Sequence, residues 1–331
     1  MSEIKVSIII PVYNVENYIE ECLTSVIRQE GTDEIPLECI IVDDRGPDRS
    51  MEIARRVVSE YSGPIRFKII TREKNGGLSA ARNSGIHEAA GDYLFFLDSD
   101  DVIAPHCIRS LWSIVGKHPG VDIVYGQTVS FPDADFNSGY LNLHNGSEVD
   151  YSDKIEIVRD AHLRLPETAW NRLVRRRFIL DNKLYFKEGI IHEDTYWQLA
   201  SYPYVKSFAC DFSSQPTYLY RQREGSIMDT ADNLTRCRRL SAIIKENIAK
   251  YTAWDAPLCK YLSNYLFSFR FHTQQLPEEQ CRKIYREDIA FFRRQPQAQS
   301  PRLRLLFAYM ALPRPLMRVR LLYSLIDRIK H

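Results

Sequence analysis

None of the seven cysteines, at 22, 39, 107, 210, 237, 259 and 281, forms a Cys-x-x-Cys pair or stands at zinc-ligand spacing. Singly scattered thiols exclude a disulfide framework and point to a reducing compartment. No run approaches the ~18 apolar residues that a membrane-spanning helix needs. The opening apolar stretch, Val6-Ser7-Ile8-Ile9-Ile10, is too short for a secretory leader and passes straight into Pro11. A cytoplasmic location is therefore expected. The turn that follows, Pro11-Val12-Tyr13-Asn14, contains no glycine, so the dinucleotide fingerprint G-x-G-x-x-G is missing. The phosphate loop GxxxxGK[ST] is missing as well. Both absences argue against NAD enzymes and P-loop NTPases. Net charge is almost absent too, at +1 over 331 residues, and no nucleic-acid partner is expected. That balance hides a gradient. From Pro301 to His331 the chain carries seven Lys/Arg against a single acid, Asp327, which leaves the first 300 residues mildly acidic.

What is present reads as a folded α/β protein. The hydrophobic fraction of 44% with 26% charged residues suits a chain that buries a full core. Val6 to Ile10, Leu37 to Val42 and Tyr93 to Leu97 are mainly apolar segments of strand length, and Ile65 to Ile70 reads as a further strand. Between them lie helical spacings: Val15 to Ile27, then Met51 to Tyr61, then about Leu78 to Ala90. Strands that alternate with helices call for a doubly wound, mostly parallel sheet. Ligands in such sheets bind beyond the carboxyl ends of the strands.

Candidate chemistry gathers at those ends. The fourth strand stops in Asp98-Ser99-Asp100-Asp101, and carboxylates so close would repel one another without a cation between them. Asp98 and Asp100 are hard oxygen donors of the kind Mg²⁺ or Mn²⁺ accepts alongside substrate phosphates. A helix cap before Pro105 is the other reading of the same residues. Tyr13 offers a ring that could stack on a base, and Asp44 a carboxylate that could accept from a base N–H; rim packing and loop capping are their alternatives. Asn75-Gly76-Gly77 leads into a helix whose first turns carry Arg82, and an arginine there can grip an anion. Trp170 presents a flat face suited to a sugar ring, or to the core. His192-Glu193-Asp194 precedes an aromatic helix and could supply a general base or a cap.

Val-Ser-Ile-Ile-Ile-Pro-Val-Tyr-Asn, Ile-Val-Asp-Asp, Asn-Gly-Gly-Leu-Ser-Ala-Ala-Arg-Asn and Leu-Asp-Ser-Asp-Asp occur in one order. Together they resemble the nucleotide-binding half of the family 2 glycosyltransferases, over roughly residues 4 to 230. That resemblance implies a GT-A-type fold, a nucleotide-sugar donor, most simply UDP-linked, and inversion at the anomeric carbon. It implies Mg²⁺ or Mn²⁺ at Asp98 and Asp100, with Pro11, Tyr13, Asn14 and Asp44 on the nucleoside side. Arg82, Asp98 and Ser99 would meet the rest of the donor. Glu193-Asp194 is similar to the family's catalytic pair, which makes Asp194 the base, with Glu193 and Trp170 on the acceptor side. Tyr218-x-Tyr220-Arg221 with Ser226 resembles a mobile loop over the donor, where Arg221 would stabilise the leaving diphosphate. One departure stands out: the family commonly continues Asp-Asp-Gly-Ser after its second strand, whereas here Asp43-Asp44 is followed by Arg45-Gly46.

The expected organisation is a catalytic domain over residues 1–230, divided near 125 into a donor half and an acceptor half, then a helical region over 231–331. Residues 126 to 165 read as a long polar connection with one helix near Ile155 to Leu163, and Arg175-Arg176-Arg177 as a solvated helix face. The basic, apolar tail over 301–331 fits a helix lying on an anionic membrane surface, or an arm packing on the protein or on a twin subunit. A saccharide or lipid-linked saccharide acceptor would suit the first arrangement. Two other functions share parts of this pattern. A sugar nucleotidyltransferase would want a glycine-rich, basic first loop. A non-catalytic nucleotide-sugar binder or membrane scaffold would not need Asp98, Asp100 and Asp194 together.

Overall fold

The computed structural model describes residues 4–131, 151–211, 213, 215–222, 233–271, 278–299, 304, 307 and 308. The chain divides into two compact units, Met1–Arg223 and Glu224–His331.

The first unit is built on an eight-stranded sheet among the described residues. Strands β1 (Val6–Val12) and β2 (Leu37–Asp43) are buried at every position; their sequences are mostly apolar, and the polar pair within them, Ser7 and Glu38, is joined by a buried hydrogen bond from Ser7 Oγ to Glu38 Oε1. Both pair in parallel, β2 with β3 (Arg66–Thr71) and β1 with β4 (Tyr93–Phe96). Helices α1 (Ile19–Ile27), α2 (Ser50–Glu60) and α3 (Gly77–Glu88) connect them. A short β5 (Val102–Ile103) and helix α4 (Cys107–Lys117) follow β4. Next come β6 (Ile123–Tyr125), β7 (Thr128–Phe131), β8 (Tyr151–Ser152) and helix α5 (Ile155–His162). The large sheet ends with β9 (Arg172–Arg175) and β10 (Phe208–Cys210), between which lie α6 (Arg176–Asp181) and α7 (Glu193–Ser201). Its strand order is β3-β2-β1-β4-β9-β6-β10-β8.

Of the expected basic helix face, Arg176 and Arg177 do open helix α6, but Arg175 ends strand β9, which runs antiparallel to both neighbours, β4 and β6. Only two apolar residues, Leu173 and Val174, mark it in the sequence. They face opposite sides of the sheet, each into its own apolar cluster. Arg175 at its end pairs with Asp122 at 2.5 Å, and the arginine run continues into α6. A second small sheet, ordered β5-β11-β7, brings β11 (Tyr218–Arg221) beside the segment that follows β4.

The second unit holds α8 (Asn233–Ile248), α9 (Ala256–Phe271) and α10 (Glu278–Arg294). Buried Asp288 accepts hydrogen bonds from Ser241 Oγ at 2.6 Å and Tyr265 OH at 2.7 Å, and Lys245 Nζ stands 2.7 Å away. One carboxylate thereby ties the three helices together. Most of the basic tail lies outside the described residues. Phe307 within it is buried, with its ring 6.2 Å from Trp254 and 6.0 Å from Phe292, as the packing alternative expects of that residue. No described helix is long and apolar enough to cross a membrane.

Candidate active site

The parallel strands β1, β2 and β4 deliver the sequence motifs to one end of the sheet. After β1 the chain turns sharply, and Asn14 takes a positive φ of 56°. Tyr13 is left 48% exposed, a half-open ring at the site's edge, while Pro11 is buried within β1. The departure after β2 has a structural counterpart. Arg45, standing where the family commonly has glycine, takes φ 61°, a conformation glycine adopts without steric cost. The following Gly46 is needed by contact: a side-chain carbon there would lie 2.9 Å from the backbone nitrogen of Asn14.

Asp44 is buried and its oxygens are engaged. Gly76 and Gly77 donate their backbone N–H groups to it at 3.0 and 2.8 Å, and Arg72 pairs with it. It therefore anchors the turn that starts α3, where the orphan N–H groups of a helix need acceptors. The glycine turn in turn fixes where Arg82 emerges.

Arg82 is the centre of the site. It is only 2% exposed, and its two terminal nitrogens reach different motifs. Nη2 donates to Asp98 Oδ1 at 2.7 Å and Nη1 to Glu193 Oε1 at 2.7 Å. Its guanidinium also lies 5.3 Å from the Phe186 ring. Burial works against its charge, but Asp98 and Glu193 outweigh that effect and hold its pKa above the usual value. The residue expected to grip the donor is thus the bridge between the carboxylates at the end of β4 and those that open α7.

Behind Asp98 and Asp100 stands a support that sequence reasoning did not single out. Asp101 accepts from Tyr218 OH at 2.6 Å and from the backbone N–H of Arg221 at 2.7 Å. Burial, with Asp98 and Asp100 nearby, pushes its carboxyl up to about 8. Arg221 Nε donates to the Asp100 carbonyl at 2.8 Å, and its guanidinium pairs with Glu21. The third carboxylate of the run therefore docks β11, and Arg221 reaches the metal-candidate loop through backbone. Trp170 stacks on Tyr218 at 4.5 Å and on Tyr220 at 5.5 Å, and is 8% exposed. Ser99 is buried, and Ser226 lies outside the described residues.

Asp98 and Asp100 fit a divalent cation by the chemistry of their donors. Two adjacent hard carboxylates suit an ion that completes its shell with donor phosphates. Among the described residues no group of three or more His, Cys, Asp or Glu is placed to hold a metal ion. Burial raises the pKa of Asp98, Arg82 opposes the rise, and Asp100 adds to it. A cation there would relieve that repulsion.

Helix α7 begins at a strained turn, with Gly189 at φ 75° and His192 at φ 66°. Asp194 Oδ1 accepts the N–H of Thr195 at 2.8 Å. Burial pushes the Asp194 carboxyl up, against that N–H and the charges of Arg82 and Arg172. Two charged neighbours here had no motif to announce them. Glu167 is pushed up to about 7 by burial and by Asp194, and Arg172 on β9 is fully buried. The only hint of either was the order regained near Trp170-Asn171-Arg172.

A doubly wound sheet with carboxylates at the end of β4 and at the start of α7 defines a GT-A-like fold. A sequence model described as "Glycosyl transferase family 2" matches residues 7–181, and the chain belongs to that family. The chain is 32% identical over 233 residues to glycosyltransferase GlyA of Streptococcus pneumoniae, covering 67% of this chain but 31% of that protein. It thus spans under a third of that relative's length. It is 39% identical over 124 residues to the poly(ribitol-phosphate) beta-glucosyltransferase of Bacillus spizizenii, covering 37% of this chain and 19% of that one. Among solved structures, residues 1–349 of S. aureus TarS in complex with UDP-GlcNAc superpose with a TM-score of 0.66 at 21% identity, covering 93% of this chain and 87% of that one.

Proposed function

We propose that this chain transfers a sugar from a UDP-linked donor to an acceptor hydroxyl with inversion, as a step in building a cell-surface glycan. The observation that carries the reading is the Arg82 bridge, which joins Asp98 and Glu193 through one guanidinium. It sets Asp194 one residue from a group that is tied to the donor-side carboxylates. A single displacement then needs little else. The acceptor oxygen attacks the anomeric carbon as the bond to the diphosphate oxygen breaks, and Asp194 takes the hydroxyl proton. Glu193 is tied up by Arg82, which favours Asp194 as the base. Tyr13 and Asn14 bound the nucleoside end, and Asp44 serves it by holding the turn before α3. Asp98 and Asp100 would hold Mg²⁺ or Mn²⁺, which when bound neutralises charge on the diphosphate. Arg221, fixed to the Asp100 carbonyl, adds positive charge on the same side.

Support for the donor is that TarS was solved with UDP-GlcNAc; support for the setting is the name of the Bacillus spizizenii relative. The catalytic portion ends before the helical region, near residue 230. The tail beyond residue 308 lies on an anionic inner leaflet, beside a saccharide or lipid-linked acceptor.

The test is a panel of nucleotide sugars assayed with Mn²⁺ and with EDTA. Asp194→Asn should bind the accepted donor nearly as tightly as wild type and lose about 10²–10⁴-fold in transfer. Loss of donor affinity with transfer intact at saturation would make Asp194 a donor ligand and overturn the mechanism. Undiminished turnover in EDTA would remove the metal from it. Failure to float with anionic liposomes at low salt would remove the membrane.

A further inference from the structure

The segment from Leu184 to Glu188 is held by α3 on one side and by α7 on the other. On the α3 side the buried amide of Asn83 grips one residue by both its backbone groups. Phe186 N–H donates to Asn83 Oδ1 at 2.9 Å, and Asn83 Nδ2 donates to the Phe186 carbonyl at 2.8 Å. The same Nδ2 lies 3.3 Å from Glu188 Oε1. Turning the amide over would set donor against donor and acceptor against acceptor, so its partners fix its orientation. One helical turn further along α3, His87 stacks on Tyr185 at 4.9 Å. On the α7 side Trp197 holds the same segment. Its indole N–H donates to the Leu184 carbonyl at 2.8 Å, and its ring stacks on Phe186 at 6.1 Å. Trp197 lies three residues past Asp194, on the next turn of α7.

The turn that follows this strap is strained, with Gly189 and His192 both at positive φ. A residue other than glycine keeps such a backbone only where its surroundings over-determine it. Consecutive residues of α3 act at the two ends of the turn. Asn83 holds the chain before it through Phe186, and Arg82 holds Glu193 after it at 2.7 Å. The two anchors also meet, since the Arg82 guanidinium lies 5.3 Å from the Phe186 ring. They differ in kind. Arg82 restrains a side chain, whereas Asn83 restrains the main chain that leads into α7.

We infer that Asn83 is a positioning residue: its amide fixes the Leu184–Glu188 strap as the spacer between α3 and α7, and so sets where Asp194 stands relative to the donor-side carboxylates. This rests on Asp194 being the base. Proton transfer in step with bond formation tolerates little displacement, and a shift of about 1 Å can cost about 10²-fold.

The test joins amide hydrogen exchange to a double-mutant cycle, both in the full chain. Asn83→Leu keeps the size of the side chain and removes its hydrogen bonds. Exchange should quicken over residues 186–197 and stay as in wild type in α2. UDP titrated by calorimetry should bind within about twofold of wild type, while kcat for UDP release from UDP-GlcNAc or UDP-glucose falls about 10–100-fold. Asn83→Asp still accepts the Phe186 N–H and should lie between the two. In an Asp194→Asn background Asn83→Leu should cost nothing further, because a base already removed cannot be misplaced. A loss that adds in full in that background would detach Asn83 from Asp194 and overturn the inference. Exchange that quickens equally in α2, or not at all over 186–197, would overturn it too. If Asn83→Leu does not fold, Asn83→Asp decides by the same readings. Release by Asp194→Asn at the wild-type rate would overturn the base instead, and hydrogen exchange then judges the strap alone.

Discussion

Two buried polar clusters, one in each unit, are built on opposite principles. In the helical unit Asp288 is surrounded by donors from three side chains, all at 2.6–2.7 Å. Its charge is fully answered, and the cluster holds helices together. In the catalytic unit two buried arginines face Asp98, Glu193, Asp194 and Glu167, and several arginine N–H groups find no acceptor. A satisfied network rigidifies, whereas an over-acidic, partly idle one stores charge that a substrate or cation can answer. The contrast separates structural from functional polarity without reference to any motif.

Breaking each cluster at its centre should show the difference. Arg82→Met leaves the half-buried Asp98 and Glu193 without their cation. It should cost about 3–5 kcal/mol in denaturant unfolding and abolish transfer. Wild-type stability in that variant would undo the contrast, because the bridge would then be incidental. Asp288→Ala should cost less, about 2–3 kcal/mol, since Lys245 is partly exposed and can turn to water. Its mark should be faster amide exchange in α8, α9 and α10, with the pH dependence of transfer unchanged.

How much of this was legible depended on how each feature is encoded. Strands β1, β2 and β4 announce themselves because both faces are buried and their sequences are mostly apolar. Their terminal carboxylates mark a site by position alone, since ligands bind beyond the carboxyl ends of parallel strands. Strand β9 could not be read this way, because two apolar residues flanked by arginines carry no period, and its identity comes from pairing with β4 and β6. The roles within the site were also hidden. Nothing local tells that Arg82 binds two protein carboxylates, that Asp44 caps a turn, or that Trp170 is stacked on Tyr218. Glu167 and Arg172 are single charges in ordinary surroundings, and only the fold makes them neighbours of Asp194. Arg45 shows the reverse case, where a departure from a motif pointed to a strained backbone position.

His162 tests the satisfied side of the contrast within the catalytic unit. It is buried against the Tyr125 hydroxyl, the Gln198 carbonyl and Ser201 Oγ, and burial lowers its pKa to about 4. The unfolded chain therefore takes up this proton first as pH falls. Its contribution is intact above about pH 6.5 and is lost by about pH 4, a change of about 3 kcal/mol. Glu167, with its raised pKa, acts in the opposite sense, so the comparison must be made between variants. In His162→Gln the fall in stability between these pH values should flatten by that amount. An unchanged slope would mean that the imidazole is not held neutral.

The smallest expected effect is at Tyr218, where the two kinds of cluster meet. Its ring packs on Trp170 as core, while its hydroxyl donates to Asp101 and accepts the N–H of Asp98 at 3.3 Å. Tyr218→Phe keeps the ring and removes only the polar link. The cost should depend on the charge of Asp101, whose carboxyl is pushed up to about 8. At pH 5 that group is protonated, and the lost bond is between neutral partners, worth about 1 kcal/mol. At pH 9 it is ionised, and losing a donor to a buried charge should cost about 2 kcal/mol. Denaturant unfolding of wild type and variant at the two pH values reads the difference directly. Donor affinity should weaken together with stability, because Asp101 also holds the N–H of Arg221 and so fixes β11 against the Asp98–Asp100 loop. A penalty independent of pH, with donor binding intact, would place Tyr218 with Asp288 as structure alone.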